Sequence, residues 1–76
     1  MDRSRVPDSW IGRQVVLIPL DAQGASGKEL YGWLDGVQDD GIWFAKGFQS
    51  DSLKRLMQEN AKFYPWSRVG WMEPED

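Results

Sequence analysis

The stretch that decides the fold is KELYGWLDGVQDDGIWFAK, residues 28–46. It predicts a β-hairpin whose first strand covers residues 28–37 and whose second strand covers residues 42–45. Between the two strands, Asp39-Asp40-Gly41 supplies the turn. Asp is favoured in turns, and Gly accepts the positive φ that tight hairpin loops often require. The rest of the chain is expected to pack around this hairpin.

Alternation in the first predicted strand assigns its side chains to two faces. Leu30 and Leu34 share one face, because successive side chains of a strand point to opposite sides of the sheet. The other face carries Tyr31, Trp33 and Asp35. The hairpin holds more aromatic side chains than its inner face can take. An outer aromatic surface is therefore expected, and its candidates are Tyr31, Trp33 and Trp43.

Two features of the hairpin affect its shape and its pairing. Gly32 and Gly36 interrupt the first strand and permit a sharp bend of the sheet. The pairing register stays open at this point. A two-residue loop at Asp40-Gly41 and a longer loop that starts at Gln38 place different residues opposite each other.

Residues 13–20, 62–66 and 69–72 predict three further strands. The first is rich in β-branched residues and ends near Pro19, which cannot donate a hydrogen bond to a ladder. A tight turn at Ser67-Arg68 joins the other two. The aromatic residues expected to complete the core are Phe44, Phe63 and Trp71.

Residues 50–61 predict a short amphipathic helix between the third and fourth strands. Leu53, Leu56 and Met57 fall on one face at helical spacing, and Ser50 or Asp51 is a suitable N-cap. The fold expected from the whole chain is mainly β, a five-stranded sheet bent into a small barrel with one inserted helix.

Size and composition limit both the fold and the function. The 76 residues make one domain, residues 1–76, in which 1–8 and 73–76 are expected to be loose ends. A chain this short buries only about 60% of the surface that its unfolded form exposes. The five Trp, three Phe and two Tyr add large apolar areas to such a small core. The net charge of −3 argues against nonspecific binding of a phosphate backbone.

Cysteine and histidine are both absent from the sequence. Without cysteine there is no disulfide, thiolate ligand or thiol nucleophile, which suits a reducing compartment. Without histidine, the commonest metal ligand and the commonest general acid or base are missing. We therefore expect a protein that is not an enzyme and has no catalytic residue, cofactor or metal site. No signal peptide or membrane-spanning run is visible, so we expect a cytoplasmic location and no membrane association.

Two segments resemble the motifs of the Sm/Hfq superfamily, whose members have an SH3-like small barrel. The pattern L-x-G-x-L-x-x-V at residues 30–37, followed by G-I-x-F at 41–44, is similar to the first Sm motif. The sequence FYPWSRV at residues 63–69 looks like the second motif, in which a strand runs through a tight turn into the last strand. The resemblance implies an SH3-like or Sm-like five-stranded barrel that forms rings and binds single-stranded RNA.

The same resemblance places RNA at the loop 38–41 and at the segment 64–68. This chain departs from the family at both. The Tyr-Lys-His stretch of the Hfq type is Tyr64-Pro65-Trp66 here, and Asp39-Asp40 brings negative charge where Sm proteins carry Asn. The acidic charge disfavours RNA as a partner.

Two functions remain open from the sequence. The first is a noncatalytic module for protein–protein interaction or for self-assembly into a homo-oligomer, which would use an exposed aromatic face. The second is Sm-like binding of single-stranded RNA, in which aromatic side chains stack on bases. The residues expected to contact the partner are Tyr31, Trp33, Trp43, Tyr64, Trp66 and Arg68.

Overall fold

The computed structural model describes residues 1–49 and 56–75, which form one antiparallel β-sheet. Short 3-10 turns cover Arg3–Arg5, Asp8–Trp10 and Trp66–Arg68. The chain is mainly β, as its alternation predicted. The strands are β1 (Gln14–Pro19), β2 (Leu30–Gln38), β3 (Gly41–Gln49), β4 (Leu56–Gln58), β5 (Lys62–Pro65) and β6 (Val69–Pro74).

The strand order is β4-β3-β2-β1-β6, and β5 also lies beside β3. β5 pairs with residues 41–44 of β3, whereas β4 pairs with residues 47–49 of the same strand. β1 pairs with β6, so the first and last strands are neighbours. Within the described residues no ladder joins β6 to β4 or β5, and the sheet is not closed.

β2 and β3 form the predicted hairpin, with a loop of two residues, Asp39 and Asp40. Gln38 pairs directly with Gly41. This register is neither of the two predicted alternatives, because the loop begins one residue before Asp40. The tight loop keeps both carboxylates at the tip of the hairpin, where both residues are exposed.

Gly41 is required for close packing and not for a positive φ, which corrects the prediction. Among the described glycines, only Gly12 and Gly24 have a positive φ, of 86° and 84°. A Cβ added to Gly41 would lie 2.7 Å from Cζ of Phe63 and would also meet the carbonyl oxygen of Tyr64. The missing side chain therefore lets β5 approach the start of β3.

Two β-bulges change which side chains point inward. In β2, Leu34 pairs with Phe44 and Gly36 with Trp43, so Asp35 is one extra residue. In β6, the extra residue is Gly70, because Val69 pairs with Pro19 and Trp71 pairs with Ile18. Each bulge shifts the alternation by one residue and bends the strand that carries it.

The core lies on the inner face of the sheet. Val6 joins it from the N-terminal segment and is only 2% exposed, although residues 1–8 were predicted to be a loose end. Leu30 and Trp10 are half-buried and pack against the core. The other buried residues of the cluster are Val15, Leu17, Leu34, Ile42, Phe44, Val69 and Met72.

Two predictions about packing and secondary structure need correction. Residues 50–55 of the predicted helix lie outside the described residues. Residues 56–58 form β4, so the helix prediction is wrong there and the described sheet has six strands instead of five. Trp71 was predicted in the core but is 46% exposed, because the bulge at Gly70 turns it outward. Phe44 is buried, as predicted.

Candidate functional site: an outer aromatic face

The outer face of the sheet carries a continuous group of apolar and aromatic side chains. Residues directly opposite each other on neighbouring strands point to the same face. The cross-strand pairs on this side of the sheet are Ile18 with Trp71, Val16 with Tyr31, Trp33 with Ala45, and Trp43 with Phe63. We call these eight residues the outer aromatic face.

The outer aromatic face is open to solvent at three of its aromatic residues. Tyr31 is 50% exposed, Trp71 46% and Trp43 39%. Trp33 is half-buried, and Ala45 beneath it is fully buried. The three exposed residues, Tyr31, Trp43 and Trp71, belong to β2, β3 and β6, so the surface extends across the sheet.

Contacts within the sheet hold the aromatic side chains in place. The rings of Trp43 and Phe63 meet edge to face, with centroids 5.4 Å apart and planes inclined by 60°. Such a pair contributes about 0.5–1.5 kcal/mol beyond the area that it buries. Gly36 lies opposite Trp43, and a Cβ there would make only ordinary contact with the indole, at 3.6 Å from Cδ1. The Trp43 and Phe63 rings therefore hold each other in position on the outer aromatic face.

The charged side chains that the described strands place on the outer aromatic face are negative. Glu73 lies opposite Val16, in the same cross-strand row as Tyr31. Asp35 occupies the bulge of β2, where its carboxylate accepts a hydrogen bond from the side-chain amide of Gln58 at 3.4 Å. In the described strands, the only two cationic side chains, Lys46 and Lys62, stand opposite Gly32 and Phe44, residues of the inner face.

Tyr31 interacts with acidic residues at the edge of the outer aromatic face. Its hydroxyl donates a hydrogen bond of 2.7 Å to Oε2 of Glu29. This hydrogen bond, and then the negative charges of Glu29 and Glu75, raise the pKa of the Tyr31 phenol above its ordinary value. The hydrogen bond places the Glu29 carboxylate beside the Tyr31 hydroxyl, at the edge of the outer aromatic face.

The structure separates the six predicted contact residues into two groups. Tyr31, Trp33 and Trp43 lie together on the outer aromatic face, as the alternation predicted. Tyr64, by contrast, packs against the core, with its ring edge to face on Phe44 at 6.0 Å. Burial, followed by the charge of Glu59, raises the pKa of the Tyr64 phenol.

Trp66 and Arg68 lie in the 3-10 turn before β6. Trp66 is half-buried, and its indole Nε1 donates to the carbonyl oxygens of Gln38 and Asp39, at 3.1 and 3.0 Å. Arg68 is exposed, and its carbonyl oxygen accepts a hydrogen bond of 2.8 Å from the backbone N–H of Leu20. This second group connects parts of the fold and does not belong to the outer aromatic face.

The acidic tip of the hairpin contacts the N-terminal segment. A guanidinium nitrogen of Arg3 lies 2.7 Å from Oδ1 of Asp39 and another lies 3.7 Å from Oδ1 of Asp8. Asp39, predicted to face RNA, is thus paired with a cation of its own chain. The pair is largely exposed, so its contribution to stability is modest, about 0.2–1 kcal/mol.

Sequence reasoning missed part of the outer aromatic face. Trp71 and Phe63 were predicted in the core, and Val16 and Ile18 were not among the residues predicted to contact a partner. For Trp71, the spacing of Val69 and Met72 could have indicated the outward orientation. These two residues are three apart and cannot share one face of a regular strand. A bulge between them, at Gly70, puts both inside and Trp71 outside.

A shallow cleft of about 440 Å³ opens beside Trp71. Its other lining residues are Met1, Asp2, Arg5 and Gly70, so it carries one acidic and one basic side chain. A Cβ at Gly70 would lie 2.9 Å from Cδ2 of Leu20 and 3.0 Å from the carbonyl oxygen of Ile18, so a larger residue there would require these neighbours to shift. The cleft continues the outer aromatic face towards the N-terminal segment.

Within residues 1–49 and 56–75, no group of three or more carboxylate side chains is placed to hold a metal ion. No helix in this part of the chain is long and apolar enough to cross a membrane. No protein-family model, curated protein or solved structure matches the chain.

Proposed function

We propose that this chain is a noncatalytic binding module that docks a partner protein on its outer aromatic face. The observation that carries the proposal is the exposure of Tyr31, Trp43 and Trp71 on one side of the sheet. Contiguous exposed apolar surface is uncommon on soluble monomers and marks interaction sites. Tyr and Trp are also enriched among the residues that dominate binding energy at protein interfaces.

The proposal includes the finer fold type, an SH3-like or Sm-like bent barrel. Three features support it: the order β6-β1-β2-β3 with β5 beyond β3, the short turn before the last strand, and the bend of β2. At that bend a Cβ on Gly32 would lie 2.9 Å from Cα of Lys46 and would meet the carbonyl oxygen of Ala45. A cytoplasmic location is also part of the proposal, since a chain without cysteine suits a reducing compartment.

A protein partner is better supported than Sm-like binding of single-stranded RNA. The RNA hypothesis needs accessible rings in the segment 64–68, but Tyr64 packs on the core and the Trp66 indole bonds to the hairpin tip. The outer aromatic face has rings that could stack on bases, but it carries Asp35 and Glu73, whose charge repels a phosphate backbone.

Site-specific photocross-linking tests the proposal in cells of the natural source. A benzophenone amino acid replaces Tyr31 or Trp71 on the face, and Ile11 or Phe48 in the controls. Ile11 and Phe48 are both 43% exposed, which is similar to the exposure of Tyr31 and Trp71. Both controls lie outside the outer aromatic face. We expect one protein to be linked from both test positions and from neither control.

Binding of the purified partner completes the test. We expect Trp43→Ser to weaken binding by about tenfold or more, as loss of a central aromatic anchor does. The matched variant Phe48→Ser is expected to bind like wild type. Cross-links to the chain itself, together with a dimer mass in solution that Trp43→Ser abolishes, would instead establish self-association. An equal loss of affinity in Trp43→Ser and Phe48→Ser would contradict the proposal that the partner docks on the outer aromatic face.

A further inference from the structure

We infer that the partner docked on the outer aromatic face presents a positively charged segment whose apolar side chains alternate with Arg or Lys. This inference rests on the proposed function and specifies the partner's chemistry. The supporting observation is the charge pattern of the face. Asp35 and Glu73 lie on it and Glu29 and Glu75 lie at its edge, whereas the strand lysines stand opposite inner-face residues.

The place on the face that best suits a cationic side chain of the partner lies beside Glu73. Trp71 precedes Glu73 by two residues and shares its face of β6, while Tyr31 is two strands away in the same cross-strand row. Neighbouring strands are about 4.8 Å apart, so Glu73 and Tyr31 are separated by about 10 Å. A guanidinium between them can pair with the carboxylate and stack on an aromatic ring, a geometry for which Arg is suited.

The Glu29 carboxylate provides a second point of attraction. It accepts a hydrogen bond of 2.7 Å from the Tyr31 hydroxyl, which favours one orientation of the carboxylate before a partner arrives. An acceptor that is already oriented loses less side-chain entropy when it pairs with an incoming cation. Tyr31 therefore contributes an apolar surface to the partner and also orients a charge at the rim.

The same charges disfavour a second copy of this chain as the occupant. A symmetric dimer that joined two outer aromatic faces would place the same surface on both sides of the interface. Carboxylates such as Glu73 and Asp35 would then face carboxylates, and juxtaposed like charges weaken an interface. Nucleic acid meets the same obstacle, because each phosphate would approach a negative rim.

Short peptide probes test the inference directly, with Trp fluorescence of the full chain as the readout at low and high salt. The first probe alternates Arg with Val, the second alternates Glu with Val, and the third alternates Arg with Ser. A single-stranded oligouridylate is the fourth. We expect the Arg–Val probe to bind best, to lose affinity at high salt, and to bind more weakly to Trp71→Leu.

Charge variants of the face separate specific pairing from general attraction. Glu73→Gln and Asp35→Asn are each expected to weaken the Arg–Val probe about two- to fivefold, the range of partly exposed charge pairs. Asp40→Asn is the matched control, because it removes one exposed carboxylate at the hairpin tip, away from the face. It should leave the affinity unchanged.

Several results would overturn the inference. These are equal binding of the Glu–Val and Arg–Val probes, no binding of any peptide, or equal effects of Glu73→Gln and Asp40→Asn. A cross-linked partner whose binding depends on Trp43 but not on Glu73 would overturn the charge inference and leave the proposed function standing. Oligouridylate binding that Trp71→Leu abolishes would overturn both.

Discussion

The indole of Trp66 is bonded to the tip of a hairpin that lies far from it in sequence: its Nε1 donates to the carbonyl oxygen of Asp39 at 3.0 Å. The backbone N–H of Trp66 also donates to the carbonyl of Asp40, at 3.3 Å. The turn before β6 and the loop between β2 and β3 thus hold each other. A residue expected to contact a partner is part of the framework instead.

Replacing Trp66 by Phe should destabilise the fold without affecting the outer aromatic face. The variant keeps an aromatic ring but loses the Nε1 donor, and a lost hydrogen bond costs about 1 kcal/mol. Thermal unfolding followed by circular dichroism measures the change. Trp43→Phe is the matched control and should stay near wild type, because the Trp43 indole makes no hydrogen bond to any residue that the structure describes. Equal stability of the two variants would argue against the role assigned to Trp66.

Gly32 should tolerate substitution far less than Gly36, although both lie in β2. A Cβ at Gly32 meets backbone atoms of β3, including Cα of Lys46 at 2.9 Å, whereas one at Gly36 makes only ordinary contacts with Trp43. We expect Gly32→Ala to cost about 2 kcal/mol or more, because the strands must move apart. Gly36→Ala should be near neutral. Urea unfolding of both variants gives the comparison, and a similar loss in both would contradict it.

The N-terminal segment should contribute to stability through Val6. Val6 is 2% exposed within the core cluster, so Val6→Ala removes buried methyl groups and leaves a cavity, at a cost of about 2 kcal/mol. Ile11→Ala, at a site 43% exposed in the same segment, should change the free energy of unfolding by less than about 0.5 kcal/mol. Chemical denaturation measures both, and a neutral Val6→Ala would place this segment outside the cooperative fold.

Both tyrosines should titrate above the ordinary phenol value of 10.0, for different reasons. The pKa of Tyr31 is raised first by its hydrogen bond to Glu29, and that of Tyr64 first by burial. A raised pKa means that the folded state holds the phenol proton more tightly than the unfolded state. Its contribution to stability is therefore complete below about pH 10 and is lost as the pH rises through the folded value.

Absorbance titration of the phenolates can assign the two groups. Glu29→Ala removes the acceptor and the nearest charge, so we expect the Tyr31 transition to move to lower pH. The Tyr64 transition should not move, because its shift comes from burial and from Glu59. Tyr31→Phe identifies which transition is which. A common shift of both transitions, or of neither, would disprove the assigned causes.

The sequence predicts the hairpin faces well, because alternation is a direct consequence of strand geometry. Leu34 is buried while Tyr31 is exposed, as predicted from their spacing alone. Regular alternation assumes that a strand has no bulge, and one extra residue exchanges the faces beyond it. Trp71 was placed inside for this reason. The pairing of Gln38 with Gly41 at the hairpin tip was also not predicted. Gly41 packs closely against β5, and local sequence does not reveal such a tertiary contact.

Strand alternation also explains why only part of the candidate site was predicted. Tyr31, Trp33 and Trp43 follow from local alternation, so a sequence alone can group them. Trp66 could not be assigned, because its hydrogen-bond acceptors lie at Gln38 and Asp39, far away in the chain. Val6 lies between Arg5 and Pro7 and offers no periodic signal. Side chains whose roles depend on long-range contacts are the ones that local patterns misplace.

Pairing between the first and last strands has a consequence for synthesis on the ribosome. β1 gains its second neighbour only when β6 exists, since Val15 pairs with Pro74 and Leu17 with Met72. Until then, the apolar run of β1 has one edge whose backbone groups are unpaired, a state prone to association with other chains. The free edge of β1 is therefore exposed on the nascent chain until residues 69–74 have left the ribosomal tunnel.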